Sequence, residues 1–320
     1  MARRALGPAT LAVVQAVTES LVPQDQALLV ACSGGPDSLA VAVGAQQVAR
    51  RRSLPLAAVV VDHGLQHGSA DIAQRAREQL EGLGYEEVVI RRAQVDVRSK
   101  DGPEGAARRA RYEALDAEAE PRSATVLLGH TLDDQAETVL LGLARGSGLR
   151  SLAGMALRSG CYLRPLLALR RTTTERSCAE QGLEPWLDPH NDDPSFARSR
   201  TRSRVLPVLE AELGPGIANA LARTAALARD DADLLDALAT AAHPPGDTLD
   251  CDVLQQTAPS LRRRVIRSWL STYDASEVSY LHVHSVEKLV TSWHGQLGTD
   301  LPGVRVTRES GRLVCTPHAC

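Results

Sequence analysis

Short apolar runs alternate with longer amphipathic segments along the first half of the chain. Four runs with almost no polar interruption are typical of strands buried on both faces of a parallel sheet: 27–32, 56–61, 87–90 and 125–129. The segments between and after them have the apolar spacing of helices, which we predict at 37–50, 69–83, 104–118 and 132–144. This order predicts βαβ units, and hence an α/β fold with a doubly wound, mainly parallel sheet.

The rest of the chain has less regular patterning. We predict a strand and turn at 160–170, an ordered loop at 185–197, and helices at 10–21, 172–181, 198–212, 217–242, 259–271 and 284–293. Gly214-Pro215-Gly216 is the best candidate for a linker. We therefore predict one domain over 1–213 and a smaller, mainly helical domain over 217–320.

Composition and cysteine usage narrow the class of protein. Hydrophobic residues make up 43% of the 320 residues and charged residues 23%, as in ordinary globular proteins. No apolar run approaches the ~20 residues that span a bilayer. The first apolar stretch is interrupted by Gln15, Thr18 and Glu19, which argues against a signal peptide. The six cysteines form no CxxC pair, so we expect a cytoplasmic protein without a disulfide framework or zinc site.

Charge is distributed unevenly although the net charge is only −3. Residues 145–210 are basic, and the segments on either side are acidic. A basic middle suggests a polyanionic partner such as a nucleic acid. Uneven solvated surface explains the same pattern, so charge alone leaves both interpretations open.

The sharpest motif is Ser33-Gly34-Gly35-Pro36-Asp37-Ser38, which we name the phosphate loop. It lies between a predicted buried strand and a predicted helix. Glycines let the backbone approach an anion, and the N–H groups at the helix start attract it. The P-loop of kinase-type NTPases ends in Gly-Lys-Ser/Thr, but here Asp37 stands at the corresponding place, which suits Mg²⁺. A plain glycine turn that caps a helix is the less specific alternative.

Two further clusters carry charge at the starts of predicted helices. Asp134 and Glu137 are three residues apart, so their carboxylates share one helix face and could hold a cation such as an ammonium group. His130 lies on the loop just before them. Arg108, Arg111 and Tyr112 share neighbouring faces of the helix predicted at 104–118, where a solvated basic face is an equally good interpretation.

These motifs together resemble the PP-loop ATP pyrophosphatase superfamily and, within it, the tRNA(Ile)-lysidine synthetase family. The resemblance runs in order from about residue 27 to 207: SGGPDS at 33–38, VDHGL at 61–65, EGAARRARY at 104–112, LGHTLDDQAET at 128–138, RGSGL at 145–149, RPLL at 164–167 and DPHNDDPSFARSRTR at 188–202. Thr131 replaces a histidine of the family pattern, His190 a small polar residue and Ser199 an asparagine.

The resemblance implies a set of site residues. ATP is expected at Ser33, Gly34, Gly35, Pro36, Asp37, Ser38, Val61, Asp62, His63, Gly129, Arg145 and Gly146. L-Lysine is expected at His130, Asp134 and Glu137. The catalytic residues are expected to be Asp37, Arg108, Arg111 and His130, with Asp37 also as a Mg²⁺ ligand. Phosphates or a splayed base of tRNA are expected at Arg198, Arg200, Arg202 and Arg204.

The implied activity is an ATP-dependent ligation that forms a C–N bond. The ε-amino group of lysine would be joined to C2 of the wobble cytidine of tRNA(Ile) with a CAU anticodon, through an adenylated intermediate. The modified tRNA would then read AUA instead of AUG. Residues 217–320 would contact the tRNA, no membrane partner is expected, and the oligomeric state stays open, with a homodimer as one option.

Two other functions fit the same fold. A PP-loop tRNA thiolase is the nearest, but thiolases of the cytidine type carry paired cysteines for an iron–sulfur cluster, whereas Cys32 and Cys161 are isolated. A non-catalytic module that binds tRNA or nucleotide is the other, and the intact phosphate loop argues against it.

Overall fold

The apolar runs predicted as buried strands lie side by side in one sheet. The computed structural model describes residues 6–62, 64, 68–93, 102–146, 148–188, 193–243, 246–273 and 278–318. Within them the first sheet has the order β3-β2-β1-β4-β6-β5, formed by β1 (Leu28–Cys32), β2 (Leu56–Asp62), β3 (Glu87–Arg92), β4 (Thr125–Leu128), β5 (Arg158–Ser159) and β6 (Tyr162–Leu163). Neighbouring strands are parallel except β5, which pairs antiparallel with β6. The predicted α/β class with a mainly parallel sheet is confirmed.

Helices cover both faces of this sheet. The apolar clusters place α1 (Pro8–Ser20), α2 (Pro36–Arg52), α3 (Ser69–Gly82) and α7 (Arg171–Gln181) on one face and α4 (Gly102–Ala119) on the other. Further helices of the chain are α5 (Leu132–Ala144), α6 (Leu149–Leu152), α8 (Ala197–Arg200) and α9 (Leu206–Glu212). Alternate residues of β1 belong to two separate apolar clusters: Leu28 and Val30 pack with α1, α2 and α3, whereas Leu29 and Ala31 pack with α4. This two-sided burial explains why the strand has no polar alternation.

The carboxyl ends of the central strands meet at one edge. In the parallel register Ala31 lies opposite Leu128, and Cys32 lies opposite Val60. The loops that follow β1, β2 and β4 therefore emerge beside one another, which is where open α/β sheets bind ligands.

The chain divides into two compact units. The first comprises Met1–Leu141 and Met155–Ala222, and the second Gly142–Gly154 and Arg223–Cys320. The remaining elements are α10 (Ile217–Ala242), β7 (Thr248–Asp250), α11 (Cys251–Gln256), α12 (Pro259–Ser271), α13 (Tyr280–Thr291), β8 (Thr299–Leu301), β9 (Val304–Glu309) and β10 (Arg312–Pro317). The predicted division at 213–217 stays a prediction.

The second unit contains a sheet that the sequence analysis missed. Four short strands pair in the order β7-β10-β9-β8. β9 and β10 form a hairpin, and the turn residues Ser310 and Gly311 have φ values of 48° and 78°. A two-residue turn with both φ values positive matches the twist of a hairpin.

No helix in the described ranges is both long enough and apolar enough to span a bilayer.

Candidate active site

The phosphate loop follows β1 and includes the first three residues of α2. Gly34 has a φ of 80°, a left-handed conformation that favours glycine. The Ser38 hydroxyl accepts a hydrogen bond from the Ser33 N–H at 3.1 Å and donates one to the Gly35 carbonyl at 2.9 Å. Gly35 occupies the N-cap and provides no side-chain cap. The backbone amides at the start of α2 are thus free of a side-chain cap and suited to an anion.

Gly129, at the end of β4, lies directly against the phosphate loop. A Cβ atom at this position would come within 2.7 Å of the Asp37 carbonyl carbon and 2.8 Å of the Ser38 nitrogen. No side chain fits in that gap without moving the backbone of α2. The two most specific motifs of the sequence, SGGPDS and LGHTLDD, are therefore in contact, as parallel pairing of β1 and β4 requires.

The end of β2 supplies two of the residues predicted to bind ATP. Val61 and Asp62 are half-buried and follow the strand residue that pairs with Cys32. The Asp62 carboxylate accepts a hydrogen bond from the Gly64 N–H at 2.9 Å, which shapes the turn after the strand. His63 lies outside the described residues.

Three carboxylates, which we name the carboxylate cluster, lie beside the phosphate loop: Asp37, Asp134 and Glu137. Asp134 and Glu137 lie near the start of α5 and are only 7% and 0% exposed. Arg202 contacts both, with its Nε 2.7 Å from Glu137 Oε1 and its Nη2 3.3 Å from Asp134 Oδ1. One guanidinium reaches both carboxylates because residues three apart share a helix face. The two carboxylates therefore lie on one helix face and are contacted by arginine side chains in this structure, and their role as a site for an ammonium group stays a prediction.

Arg171 links all three members of the carboxylate cluster. Its Nε is 3.2 Å from Asp37 Oδ2, its Nη2 is 2.9 Å from Asp134 Oδ1 and its Nη1 is 3.7 Å from Glu137 Oε1. The carboxylates raise the pKa of Arg171 above its ordinary value although burial opposes this. No motif of the sequence predicted a role for this residue, which lies between the RPLL segment and the helix predicted at 172–181.

Asp37 is bound from two directions. Its carboxylate accepts hydrogen bonds from Arg171 and from the Thr174 hydroxyl, both on α7. Burial nonetheless raises the pKa of Asp37, because these contacts only partly offset the loss of water and because Asp134 is a nearby like charge.

Thr131, which replaces a family histidine, supports Asp134. Its N–H and its hydroxyl both donate to Asp134 Oδ2, at 2.8 Å and 2.7 Å. Burial disfavours the charge on Asp134, but Arg171 and these two hydrogen bonds outweigh it and hold the pKa of Asp134 below its usual value. Thr131 therefore helps keep Asp134 ionised and points it into the cluster.

His130 is a neutral imidazole in this arrangement. Burial lowers its pKa to about 3, and the nearby guanidinium groups of Arg111, Arg164 and Arg198 act in the same direction against the opposing charge of Asp134. Its Nδ1 atom is buried without a hydrogen-bond partner among the described residues. An unpartnered buried nitrogen of this kind is suited to contact a ligand.

Arg111 and Arg108, on α4, differ in their surroundings. Burial lowers the pKa of Arg111, and no described residue forms a hydrogen bond or ion pair with its guanidinium. The charge of Arg111 acts on two neighbours: it partly offsets the burial that raises the pKa of the Cys32 thiol, and it adds to the burial that lowers the pKa of His130. Arg108 instead lies over the Tyr112 ring, 5.0 Å from its centroid. Arg111 is thus a guanidinium without a carboxylate partner at the strand edge, as an anion site needs.

The four arginines predicted to contact tRNA lie in different environments. They belong to a helix that continues from α8 through a π-helical turn, Thr201–Val205, into α9. Arg198 donates to the Thr138 hydroxyl at 3.0 Å and, like Arg202, faces Glu137. Arg200 donates hydrogen bonds to the Pro194 and Ser195 carbonyls, both at 2.7 Å, in the loop before the helix. Arg204 is exposed. Phosphate contact by the four stays a prediction, and Arg204 is the most accessible of them.

Arg145 and Gly146 belong to the second compact unit, just after α5, and both are exposed. Gly146 has a φ of 61°, which favours glycine there. Their part in ATP binding stays a prediction.

A pocket of about 150 Å³ opens beside the carboxylate cluster. Its lining contains acidic and basic side chains as well as an apolar wall: Asp133, Glu137, Arg170, Arg171, Arg202, Leu206, Pro207, Glu210 and Ala218. A small ligand with both charges, such as a free amino acid, suits such a lining. Among the residues that the structure describes, no three or more His, Cys, Asp or Glu side chains are arranged so that they could together hold a metal ion.

Comparison with known proteins identifies the class first. Residues 10–209 match the family model described as a PP-loop domain, and residues 249–314 match the model described as a TilS substrate binding domain. The chain is thus a PP-loop protein, in agreement with its parallel sheet and with the SGGPDS loop after β1.

The chain belongs to the tRNA(Ile)-lysidine synthase family. It is 50% identical over 300 residues to the tRNA(Ile)-lysidine synthase of Leifsonia xyli subsp. xyli, covering 91% of this chain and 90% of the relative. It is 50% identical to that of Thermobifida fusca, covering 92% of each, and 47% identical to that of Mycobacterium tuberculosis, covering 89% of each. The family predicted from the sequence motifs is confirmed.

One solved structure shares the fold at lower identity. The U34-tRNA thiolase NcsA from Methanococcus maripaludis, which carries a [4Fe-4S] cluster, superposes with a TM-score of 0.56 at 19% identity, covering 68% of this chain and 77% of that one. At this identity the likeness concerns the fold alone.

Proposed function

We propose that this chain ligates L-lysine to C2 of the wobble cytidine of tRNA(Ile) with a CAU anticodon, using ATP. The observation that carries the proposal is a single guanidinium that bridges the phosphate loop and a buried pair of carboxylates. Asp37, in the loop, and Asp134, on α5, are both within hydrogen-bond distance of one guanidinium, that of Arg171. An ammonium site this close to a phosphate site suits a reaction in which an amine displaces AMP from an adenylated base.

The first step is adenylation of the base. The C2 oxygen attacks the α-phosphorus of ATP, the bond to the bridging oxygen breaks, and pyrophosphate leaves with the electron pair. Negative charge on the phosphates would be stabilised by the amides of the phosphate loop, by Ser33 and by a guanidinium. Arg111 is the favoured guanidinium because it has no competing carboxylate, whereas Arg108 lies over Tyr112.

Mg²⁺ would assist this step by neutralising charge on the phosphates. Asp37 is the side chain that would hold it, since Mg²⁺ is commonly bound by one or two carboxylates together with phosphate oxygens and water. The lone carboxylate of the phosphate loop fits that pattern better than a cage of several protein ligands, and no such cage occurs among the described residues.

The second step is attack of the lysine ε-amine on C2. The C–N bond forms, and the bond between C2 and the oxygen attached to phosphorus breaks. AMP leaves with that oxygen and the electron pair. The amine must first lose a proton, which nearby carboxylates make harder because they raise the pKa of an ammonium group. His130 is the candidate acceptor. Because its own pKa is about 3, it would relay the proton onward rather than keep it.

The tRNA would be held by exposed arginines and by the second compact unit. Arg204 and Arg200 are the members of the arginine series not engaged with the carboxylate cluster. Residues 249–314, which match the TilS substrate binding domain, would discriminate tRNA(Ile) from other tRNAs. We also propose that the protein forms a homodimer and is located in the cytoplasm. The thiolase alternative has only the shared fold in its favour.

Incorporation of labelled L-lysine into tRNA tests the proposal. The reaction contains ATP and Mg²⁺, with tRNA(Ile) bearing a CAU anticodon in one series and elongator tRNA(Met) in the other. We expect incorporation into tRNA(Ile) alone, with one AMP and one pyrophosphate released for each lysine. Cleavage of ATP without lysine incorporation would contradict the proposed nucleophile, and incorporation of sulfur from a sulfide donor would support the thiolase reaction instead.

A further inference from the structure

The carboxylate cluster is already neutralised by the protein. Asp37, Asp134 and Glu137 lie within 4 Å of Arg171, Arg198 or Arg202 guanidinium nitrogens, so three negative charges face three positive ones. A further cation, such as the ammonium group of lysine, would make this buried site net positive. Since a buried excess charge is strongly unfavourable, binding of the ammonium requires one guanidinium to leave.

Arg171 is the guanidinium best placed to exchange the ammonium site for the phosphate site, because it contacts both. Arg202 holds Glu137 through two nitrogens, at 2.7 Å and 3.1 Å, whereas Arg171 reaches Glu137 only at 3.7 Å. Arg171 also contacts Asp37 of the phosphate loop, which neither Arg198 nor Arg202 does in the described structure. Its side chain therefore spans the distance between the predicted phosphate site and the predicted ammonium site.

The backbone of Arg171 is anchored independently of its guanidinium. Its N–H donates to Asp133 Oδ2 at 2.8 Å, and its carbonyl accepts from the Thr174 hydroxyl at 2.7 Å. The side chain can therefore change partners while α7 stays in place. A triphosphate at the phosphate loop would offer new oxygens to the same guanidinium without displacement of the helix.

We propose that Arg171 is a positioning residue that occupies the ammonium site until ATP binds and then moves its guanidinium to the nucleotide phosphates. ATP binding would thereby open Asp134 and Glu137 to lysine and impose an order in which nucleotide precedes amine. The inference rests on the proposed function, because it takes lysine as the amine. An enzyme built in this way would not fill its amine site before the base can be activated.

A purely structural role for Arg171 makes the opposite prediction for lysine binding. If Arg171 only held the carboxylates in place, its loss would misplace them and weaken lysine binding. If Arg171 competes with the ammonium, its loss would leave uncompensated carboxylates that attract lysine. The sign of the change in lysine affinity therefore separates the two roles.

The test is equilibrium dialysis of radiolabelled L-lysine against the full chain, with and without α,β-methylene-ATP. For the wild type we expect the analogue to tighten lysine binding roughly tenfold, a usual size for coupling between two sites. Arg171→Met should bind lysine about as tightly without the analogue as the wild type does with it, and the analogue should add little. Arg176→Met is the matched control, because Arg176 is exposed on the same helix and does not line the pocket beside the cluster, so its loss should leave the wild-type coupling intact.

Weaker or unchanged lysine binding by Arg171→Met would overturn the proposal. So would a wild type whose lysine affinity the analogue does not change, a result that needs no variant and so stands even if Arg171→Met does not fold. Arg171→Gln, which keeps hydrogen-bonding capacity without the charge, should change lysine binding in the same direction as Arg171→Met. If the wild type incorporates lysine into tRNA but shows no coupling, only this inference fails; if it incorporates none, the proposed function fails.

Discussion

On its phosphate side the candidate site is made mainly of backbone, whereas on its amine side it is made of charged side chains. The phosphate loop is shaped by Gly34, by the Ser38 hydroxyl and by the close approach of Gly129, all within or directly beside two adjacent strands. The amine side depends on ion pairs between residues far apart in the chain, such as Asp134 with Arg171 and Glu137 with Arg202. The two sides meet at Asp37.

This difference suggests how each side tolerates change. A site made of closely packed backbone fails when an added atom forces the chain apart, and conservative changes of charge have little bearing on it. A site made of ion pairs keeps nearly the same volume when an isosteric neutral residue is introduced, but the charge of the remaining partner is left unpaired, and the affinity for a charged ligand changes. The following four predictions use this contrast.

Gly129→Ala should have the largest effect. The added methyl group would lie 2.7 Å from the Asp37 backbone, so the first turn of α2 must shift. We expect a loss of at least roughly 10²-fold in kcat/KM for ATP-dependent adenylation, as a displacement of about 1 Å can cause. Gly82→Ala is the control, since a Cβ there meets nothing within 4 Å. Near-normal adenylation by Gly129→Ala would show that the close contact between Gly129 and the phosphate loop is not needed for adenylation.

Glu137→Gln and Asp134→Asn should affect the amine side selectively. Each removes one charge from the carboxylate cluster with little change in volume. We expect the KM for lysine to rise by roughly 10- to 100-fold, the range for loss of a charged hydrogen-bond partner. The rate of adenylation should stay within about threefold of the wild-type rate, because ATP does not bind to these carboxylates. Steady-state kinetics with varied lysine and separate measurement of pyrophosphate release provide the two readouts. Glu175→Gln, at an exposed position of α7 that does not line the pocket, is the matched control. An unchanged dependence on lysine would exclude these carboxylates as its binding site.

Thr131→Val should have a smaller effect on the same side. The variant loses the hydroxyl donor to Asp134 at 2.7 Å but keeps the N–H donor at 2.8 Å. We expect the KM for lysine to rise about fivefold, as the loss of one hydrogen bond of about 1 kcal/mol implies. Thr131→Ser, which retains the hydroxyl, should behave like the wild type. A similar rise in Thr131→Ser would point to packing of the methyl group instead.

Neutral variants of Asp37 and Asp134 should shift thermal stability in opposite directions, by about 2 °C each. Burial raises the pKa of Asp37, so its charge disfavours the folded state near neutral pH, and Asp37→Asn should raise Tm. The pKa of Asp134 is lowered despite burial, chiefly by Arg171, so its charge stabilises the fold above the ordinary pKa of 3.8. Asp134→Asn should therefore lower Tm near neutral pH.

The pH dependence checks the signs of these two shifts. The stability contributed by ionised Asp134 is lost as pH falls through its folded-state pKa, so the difference between wild type and Asp134→Asn should shrink below about pH 4. The higher Tm of Asp37→Asn relative to the wild type should disappear as acidification protonates Asp37 in the wild type. Calorimetry at several pH values gives both comparisons, and shifts of the same sign for both variants would contradict the assigned environments.

Most of the fold and the phosphate side could be predicted from local sequence. Apolar runs such as 27–32 have a pattern typical of a strand buried on both faces, and SGGPDS directly follows one of them. The C-terminal sheet was missed because β7 and β8 are three residues long, although the alternation in β9 and β10 around Ser310 and Gly311 was a usable hairpin signal. Short strands have too few residues to show a period.

The role of Arg171 could not be predicted in the same way. Arg170 and Arg171 are adjacent and chemically identical in the sequence, yet one pairs with Asp133 and the other with the carboxylate cluster. Likewise nothing local distinguishes Arg202, which binds Glu137, from Arg204, which is exposed. Which guanidinium meets which carboxylate depends on how α7 and the helix at 197–212 dock on the sheet.

The sequence by itself determined the order of strands and helices up to residue 144, the phosphate loop, the pair Asp134 and Glu137, and membership of the family. These features follow from short-range periodicity and from motifs whose residues are neighbours in the chain. Tertiary structure alone decided that the pair is neutralised by arginines from two distant helices, that Gly129 touches Asp37, and that Thr131 supports Asp134. Ion pairing and close packing act through space over a few ångströms, and only the folded chain brings residues far apart in sequence to that distance.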